Sequence, residues 1–147
     1  MASGQTGGSG TPFAIVAGYG LPGRSLVELL VRRNVDYRVV ELNPQTCRRA
    51  TAGGVNIIEG NAALPEALHK AGIERATLVA LMVPDDEIVL AAVSEVRRVN
   101  QRAYIIARCA FTSNGLEAMR RGANETIVAE QLVAHRLEQL ATDILKH

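Results

Sequence analysis

The chain has 147 residues, 48% of them apolar and 21% charged, a balance that fits one globular domain and excludes a disordered chain. Sixteen basic residues against fifteen acidic ones leave a net charge of +1, and aromatic residues make up 3% with no Trp, so the basic surface and stacking platform of a nucleic-acid binder are both missing. No apolar run approaches the ~20 residues that span a bilayer.

Residues 1–11, beginning MASGQTGGSG, have neither the charge nor the apolar segment of a signal peptide and read as a leader outside the fold, which leaves a domain at 12–147. Phe13–Ala17 (FAIVA) is a continuous apolar run, as expected for a strand buried on both faces. A glycine-rich loop over 18–23 leads to a helix over 24–34, with Leu26, Leu29 and Leu30 at helical spacing. A second strand over 37–41 ends on Glu41. Asn43 and Pro44 then supply the N-cap and first position of a helix closed by Gly53 and Gly54. The third strand is expected over 55–59 and a short helix over 65–71, stopped by Gly72.

The second half repeats the rhythm. A buried strand over 78–83 precedes a long helix that runs to Asn100, with Asp85 and Asp86 complementing the dipole of its first turn. A fifth strand over 104–107, a helix over 113–121 and a sixth strand over 125–128 follow. The last helix, over 130–145, carries Leu132, Val133, Leu137, Leu140, Ala141, Ile144 and Leu145. Strands alternating with helices specify a parallel sheet covered on both faces. The fold class is therefore α/β, a Rossmann-type doubly wound sheet of six strands in the order 3-2-1-4-5-6. The pairs Arg32/Arg33, Arg97/Arg98 and Arg120/Arg121 fall late in helices, where cations complement the carbonyl end.

Cys47 and Cys109 lie far apart without CxxC spacing, and His69, His135 and His147 are dispersed, so neither a metal site nor a disulfide framework is expected. Reduced thiols in a cytoplasmic protein are the plain reading.

Gly18-Tyr19-Gly20-Leu21-Pro22-Gly23 matches G-x-G-x-x-G in the right context: it follows an apolar strand, opens a helix, and is followed 18 residues on by Glu41 at a strand end. The first glycine permits the tight turn, the second lets the backbone approach a pyrophosphate, and the third allows close helix–strand packing. Backbone N–H groups at the helix start hold phosphate oxygens without a side-chain charge. Glu41 can accept hydrogen bonds from the adenosine ribose and would repel a 2′-phosphate, which favours NAD or a plain adenine nucleotide over NADP. Arg108, placed just beyond the fifth strand, is a candidate phosphate cation or else half of a surface salt bridge.

These stretches carry a resemblance. IVAGYGLPGRSLVELL, YRVVELNP, GVNIIEGNAALPEALHKAGIERATLVALMVPDDE, YIIAR and GANETIVAEQ are similar to the RCK or KTN (TrkA-N) domains that regulate potassium channels and the Trk, Ktr and Kef transport systems. The segment GNAALPEALHKAGIERA is the most telling. The resemblance spans residue 12 to about 145. It implies a cytoplasmic domain, at the inner face of the membrane, that senses NAD(H), ATP, ADP or AMP and passes its state to a channel or transporter. It also implies phosphate contacts from Gly20 through Arg24, Glu41 on the ribose, Leu42 beside the adenosine and Asn61 at the adenine edge. Asn43, Ala62, Val83 and Arg108 complete the expected binding set.

The chain departs from the family where Leu21 and Pro22 replace a common Arg-Val, which removes a cation near the diphosphate. It departs again where Asn61 replaces the usual Asp, bringing a donor as well as an acceptor. Ala129-Glu130 replaces the usual Pro-Glu before the last helix, which in the family crosses to a partner subunit. A homodimer through the helix over 130–145 is therefore expected, with one apolar stripe on the sheet and the rest left for the partner. The chain itself is expected to be either a separate cytoplasmic subunit or, the favoured reading, a piece of a longer membrane protein.

No catalytic residue is expected. An NAD-dependent oxidoreductase fragment is the main alternative. Yet Tyr104 and Arg108 reproduce only the spacing of a Tyr-x-x-x-Lys pair, and no histidine falls at a strand's carboxyl end. An S-adenosylmethionine methyltransferase and a scaffold with an empty cleft are the remaining rivals.

Overall fold

The computed structural model describes residues 10–146, so the expected leader falls almost wholly outside the described residues. Six strands pair in parallel: β1 (Phe13–Ala17), β2 (Asp36–Glu41), β3 (Ile57–Glu59), β4 (Leu78–Leu81), β5 (Tyr104–Cys109) and β6 (Glu125–Val128). Their order is β3-β2-β1-β4-β5-β6, as the alternation of strands and helices predicts. The helices are α1 (Leu21–Arg32), α2 (Pro44–Ala52), α3 (Pro65–Ala71), α4 (Asp86–Val99), α5 (Thr112–Arg121) and α6 (Ala129–Leu145). A single 3-10 turn at Ile73–Arg75, which periodicity does not reveal, links α3 to β4.

Every residue of β1 is buried, which is why its five positions are all apolar. Its side chains divide the core in two. Ala14 and Val16 pack with Val27 and Leu30 of α1 and with Val39 of β2. Ile15 and Ala17 face the other way, into a larger cluster with Leu68 of α3, Val93 and Val96 of α4 and Ala118 of α5. Burying side chains such as Ile15, Leu68, Leu81 and Ile105 contributes about 1.5–3 kcal/mol each.

Several boundaries differ from expectation, each for a local reason. Helix α1 starts at Leu21 rather than 24, because Pro22 falls in its first turn, where a missing N–H and a fixed φ are tolerated. It stops at Arg32 because Asn34 turns to a positive φ of 56°. Strand β3 is shorter than 55–59: Val55 N–H closes back on Ala50 O, and Asn56 is held by Tyr37. Strand β4 stops at Leu81, since Pro84 and Asp85 turn the chain into α4. Strand β5 runs on to Cys109 and so contains Arg108, which the sequence placed beyond the strand. Both cysteines are buried and unpaired, and burial pushes both thiols up, away from reactive thiolate.

Buried polar groups tie the far ends of the helices. Asn100, 8% exposed, donates to Ile73 O and Ala76 O and accepts from the N–H groups of Arg102 and Ala103. Arg97 is not simply a cation at a helix end: its guanidinium donates to Gly122 O, Asn100 O and Asn124 Oδ1. Arg98, Arg120 and Arg121 do pair on the surface, with Glu95 and Glu117.

His69 of α3 meets a carboxylate at each ring nitrogen, Glu74 at Nδ1 and Glu95 of α4 at Nε2, 2.9 Å away. A neutral imidazole has one N–H, so both bonds are made only by the cation. The hydrogen bond to Glu74, then that to Glu95, accordingly raises the His69 pKa. Arg98 first, and His69 second, hold Glu95 down at about 2. A raised histidine pKa contributes stability that is present below the ordinary value of about 6.5 and is lost as pH rises through the folded value. The melting temperature should therefore fall over that interval above pH 6.5, and His69→Gln should remove this part of the profile; scanning calorimetry at stepped pH is the check.

Candidate functional site

A cleft of about 800 Å³ opens at the carboxyl edge of the sheet, within the range of small-molecule sites. It straddles the point where the chain reverses direction across the sheet, between β1 and β4, where ligands of open α/β sheets sit. Its walls are the ends of four strands: Gly18, Tyr19 and Gly20 after β1, Glu41 and Leu42 at β2, Gly60, Asn61 and Ala62 after β3, and Val83 to Asp85 after β4. Asn43 to Thr46 and Ile88 close it from α2 and α4.

The glycine loop is folded by close packing. Gly18 has φ +96°, and a Cβ there would lie 2.9 Å from the backbone of Met82 and Val83. Gly23 sits directly under the loop, where a Cβ would come within 1.9 Å of Gly18 O. Gly20 is different. Its φ of −78° suits any residue, and a Cβ would meet nothing within 4 Å.

Glu41 bridges two loops. Its Oε1 accepts the N–H of Tyr19 at 2.7 Å and its Oε2 that of Asn43 at 2.9 Å. Each oxygen keeps a further lone pair for an outside donor. Asn43 in turn caps α2, its Oδ1 accepting from Gln45 and Thr46. Asn61 Oδ1 accepts the N–H of Ala63 at 2.8 Å, and a further lone pair on that oxygen stands beside the Nδ2 donor. Ala62 is buried, Leu42 exposed and Val83 half-buried.

Of the residues singled out by sequence, Gly18, Tyr19, Gly20, Glu41, Leu42, Asn43, Asn61, Ala62 and Val83 share this cleft. Leu21, Pro22, Gly23 and Arg24 form the first turn of α1, directly after the lining residue Gly20, and are not themselves among the lining residues. Arg108 is half-buried inside β5, away from the cleft walls. Sequence reasoning missed Gly60, Thr46, Pro84, Ile88 and the wall position of Asp85. The Pro84-Asp85 turn was legible, but only as a helix start. Among the described residues no group of three or more His, Cys, Asp and Glu side chains is arranged to hold a metal ion. No described helix is long and apolar enough to cross a membrane.

The family model of the TrkA-N domain matches residues 14–129, from β1 to the first residue of α6. The chain belongs to the TrkA-N domain family. Over 127 residues it is 28% identical to the putative cation/proton antiporter YbaL of Escherichia coli, covering 86% of this chain and 23% of that protein. This TrkA-N domain thus spans about a quarter of that relative's length. The crystal structure of the YbaL TrkA-N domain superposes with a TM-score of 0.82 at 27% identity, over 90% of this chain and 98% of that one. The Kef C-terminal domain of Shewanella denitrificans, in its AMP-bound form, gives 0.77 at 21% identity over 92% and 82% of the two chains. The GsuK channel bound to NAD gives 0.72 at 20% identity over 81% and 22%.

The packing at Gly23 makes a test of the loop. In this TrkA-N domain Gly23→Ala drives a methyl group into the backbone oxygen of Gly18, which is itself pinned through its N–H to Val40 O. Overpacking of this kind should cost about 3 kcal/mol or more, read from urea unfolding.

Proposed function

We propose that this domain, taken as residues 12–147, is a cytoplasmic ligand-sensing unit that binds NAD(H) or another adenine nucleotide in the cleft. It then controls a potassium channel or potassium/proton transporter to which it is attached or bound, at the inner face of the membrane. The observation that carries the binding is Gly20. The fold asks for glycine at 18 and 23, but at 20 the backbone is ordinary and the space is open. A glycine kept there serves an outside group that comes close to the loop, as a phosphate does at a helix start. Glu41, at the end of β2 in the same cleft, has free lone pairs suited to ribose hydroxyls. Solved proteins of this fold hold AMP and NAD, which agrees with that reading.

The same geometry favours a sensor over an enzyme. The acids in the cleft are Glu41, engaged by two backbone N–H groups, and Asp85, which caps α4 through Glu87 and Ile88. Both carboxylates are engaged in holding a loop or a helix start of the fold. Control of transport is supported by the relatives, which are parts of an antiporter, a Kef protein and a channel.

Assembly rests on α6. The sheet was expected to cover one of its stripes, but none of its residues is buried. Leu132, Val133, Leu137, Leu140 and Ile144 are all exposed. A helix of this length draws most of its stability in water from packing of an apolar face, so a partner must supply that packing. A second copy about a two-fold axis is the commonest closed solution.

Adenine nucleotides should raise the melting temperature, by ~2.7 kcal/mol of added stability, or roughly 10 °C, at one hundred times Kd. NADP should do less because of the Glu41 charge, and Gly20→Ala should weaken binding at least tenfold while costing the fold about 1 kcal/mol or less. A full set of adenine nucleotides that leaves the melting curve unmoved at millimolar concentration refutes the reading. In analytical ultracentrifugation at ~100 μM, well above the ~1 μM Kd of a moderate interface, the chain should sediment as a dimer. Leu137→Glu should make it monomeric with nucleotide binding intact.

A further inference from the structure

Three helices begin at the cleft, and two of those starts are already closed by the protein's own side chains. Asn43 Oδ1 caps α2, and Asp85 Oδ1 caps α4 at the N–H groups of Glu87 and Ile88, with Asp86 and Glu87 adding charge in the first turn. Helix α1 has no side-chain cap. Its start is the one free positive pole among the three, equivalent to roughly half an elementary charge.

Even there the donors are few. An α-helix leaves its first four N–H groups free, here at Gly20, Leu21, residue 22 and Gly23. Residue 22 is proline and has none. The N–H of Arg24 is spent on Gly20 O, that of Gly18 on Val40 O, and that of Tyr19 on Glu41. Charged side chains do not make up the deficit. The cleft walls carry Glu41 and Asp85 but no Lys, Arg or His.

We infer that the cleft accepts adenosine bearing weakly charged phosphate, AMP or the bridging diphosphate of NAD(H), and discriminates against the terminal phosphates of ADP and ATP, with Leu21 and Pro22 as the positions that set this limit. The inference rests on the nucleotide reading proposed above. One open helix pole and three N–H groups match about two negative charges, whether on the one phosphate of AMP or spread over the bridging diphosphate of NAD(H). Each terminal phosphate adds charge in a space whose fixed charges are negative, and its lost hydration has no donor to replace it.

Isothermal titration of the whole chain with AMP, NAD, ADP and ATP, without magnesium and at two salt concentrations, tests this. For the wild type, ATP should bind at least tenfold more weakly than AMP, with ADP between them. Leu21 is 69% exposed at the first position of α1, so Leu21→Arg should keep the fold while placing a cation at the open pole. It should tighten ATP about tenfold or more and AMP by less than about threefold, a difference that shrinks with salt. Pro22→Val restores the missing N–H and should act in the same direction. Wild-type binding of ATP as tight as that of AMP overturns the inference and leaves the nucleotide reading standing. So does a Leu21→Arg variant that tightens both ligands equally. Failure of all four to bind overturns the nucleotide reading and this inference with it.

Discussion

The Glu41 carboxylate joins two loops at the rim of the cleft. One of its oxygens fixes the N–H of Tyr19 in the glycine loop after β1, and the other fixes Asn43 at the start of α2. Hydrogen bonds to a charged group are worth about 1.5–3 kcal/mol each, enough to decide the conformation of short segments. The shape of the cleft therefore depends on this carboxylate. In the proposed nucleotide reading the same two oxygens would also meet the ribose hydroxyls, and being already oriented they would leave little ordering for binding to accomplish.

The rest of the site follows from topology. Because all strands are parallel, their carboxyl ends lie on one edge, and each is followed by a loop leading into a helix. At β1 and β4 these helices depart to opposite faces, and the loops between them part to form a groove. Gly18 lets the first loop press against Met82 and Val83 across that groove, while Gly23 lets α1 descend at once onto β1. Hydrogen bonding then extends outward from the rim. Asp86, beside the wall residue Asp85, accepts from Ala110 N–H and Asn114. Ala110 O receives the N–H of Glu130 in α6, and Glu130 holds the N–H and hydroxyl of Thr112 at the start of α5. The cleft rim and the exposed helix are thus two ends of one continuous polar chain.

Much of this was legible in the sequence because single residues imposed it. FAIVA can be little other than a doubly covered strand, and Asn43-Pro44 announces a helix start that the structure forms, with the Asn43 side chain accepting from Gln45 and Thr46. The strand order follows from alternation alone. What escaped was set by contacts between distant segments. Arg108 reads as a strand-end cation only if β5 stops at 107, and pairing of Arg108 and Cys109 with Ile127 and Val128 of β6 carries the strand past it. Arg97 looks like an ordinary cation in a last turn, because nothing local indicates that Gly122 O and Asn124 will lie beside it. In each case residue type was informative and its partner was not.

The last helix shows the same limit in the opposite direction. Its sequence displays more apolar surface than a single sheet could cover, and this was read as one buried stripe with a remainder. In the structure no residue of the helix is buried, and Leu140, 47% exposed, is the least exposed of its large apolar residues. The attachment is made instead by polar bonds at its first turn, from Glu130 and Gln131 to Thr112. A helix fixed at one end by hydrogen bonds and free along its length has its direction set there, by the loop after β5. That loop is the one Asp86 grips from beside the cleft. Asp86 in the first turn of α4, the Ala110 loop and Glu130 at the root of α6 thus form one hydrogen-bonded series from the cleft rim to the last helix.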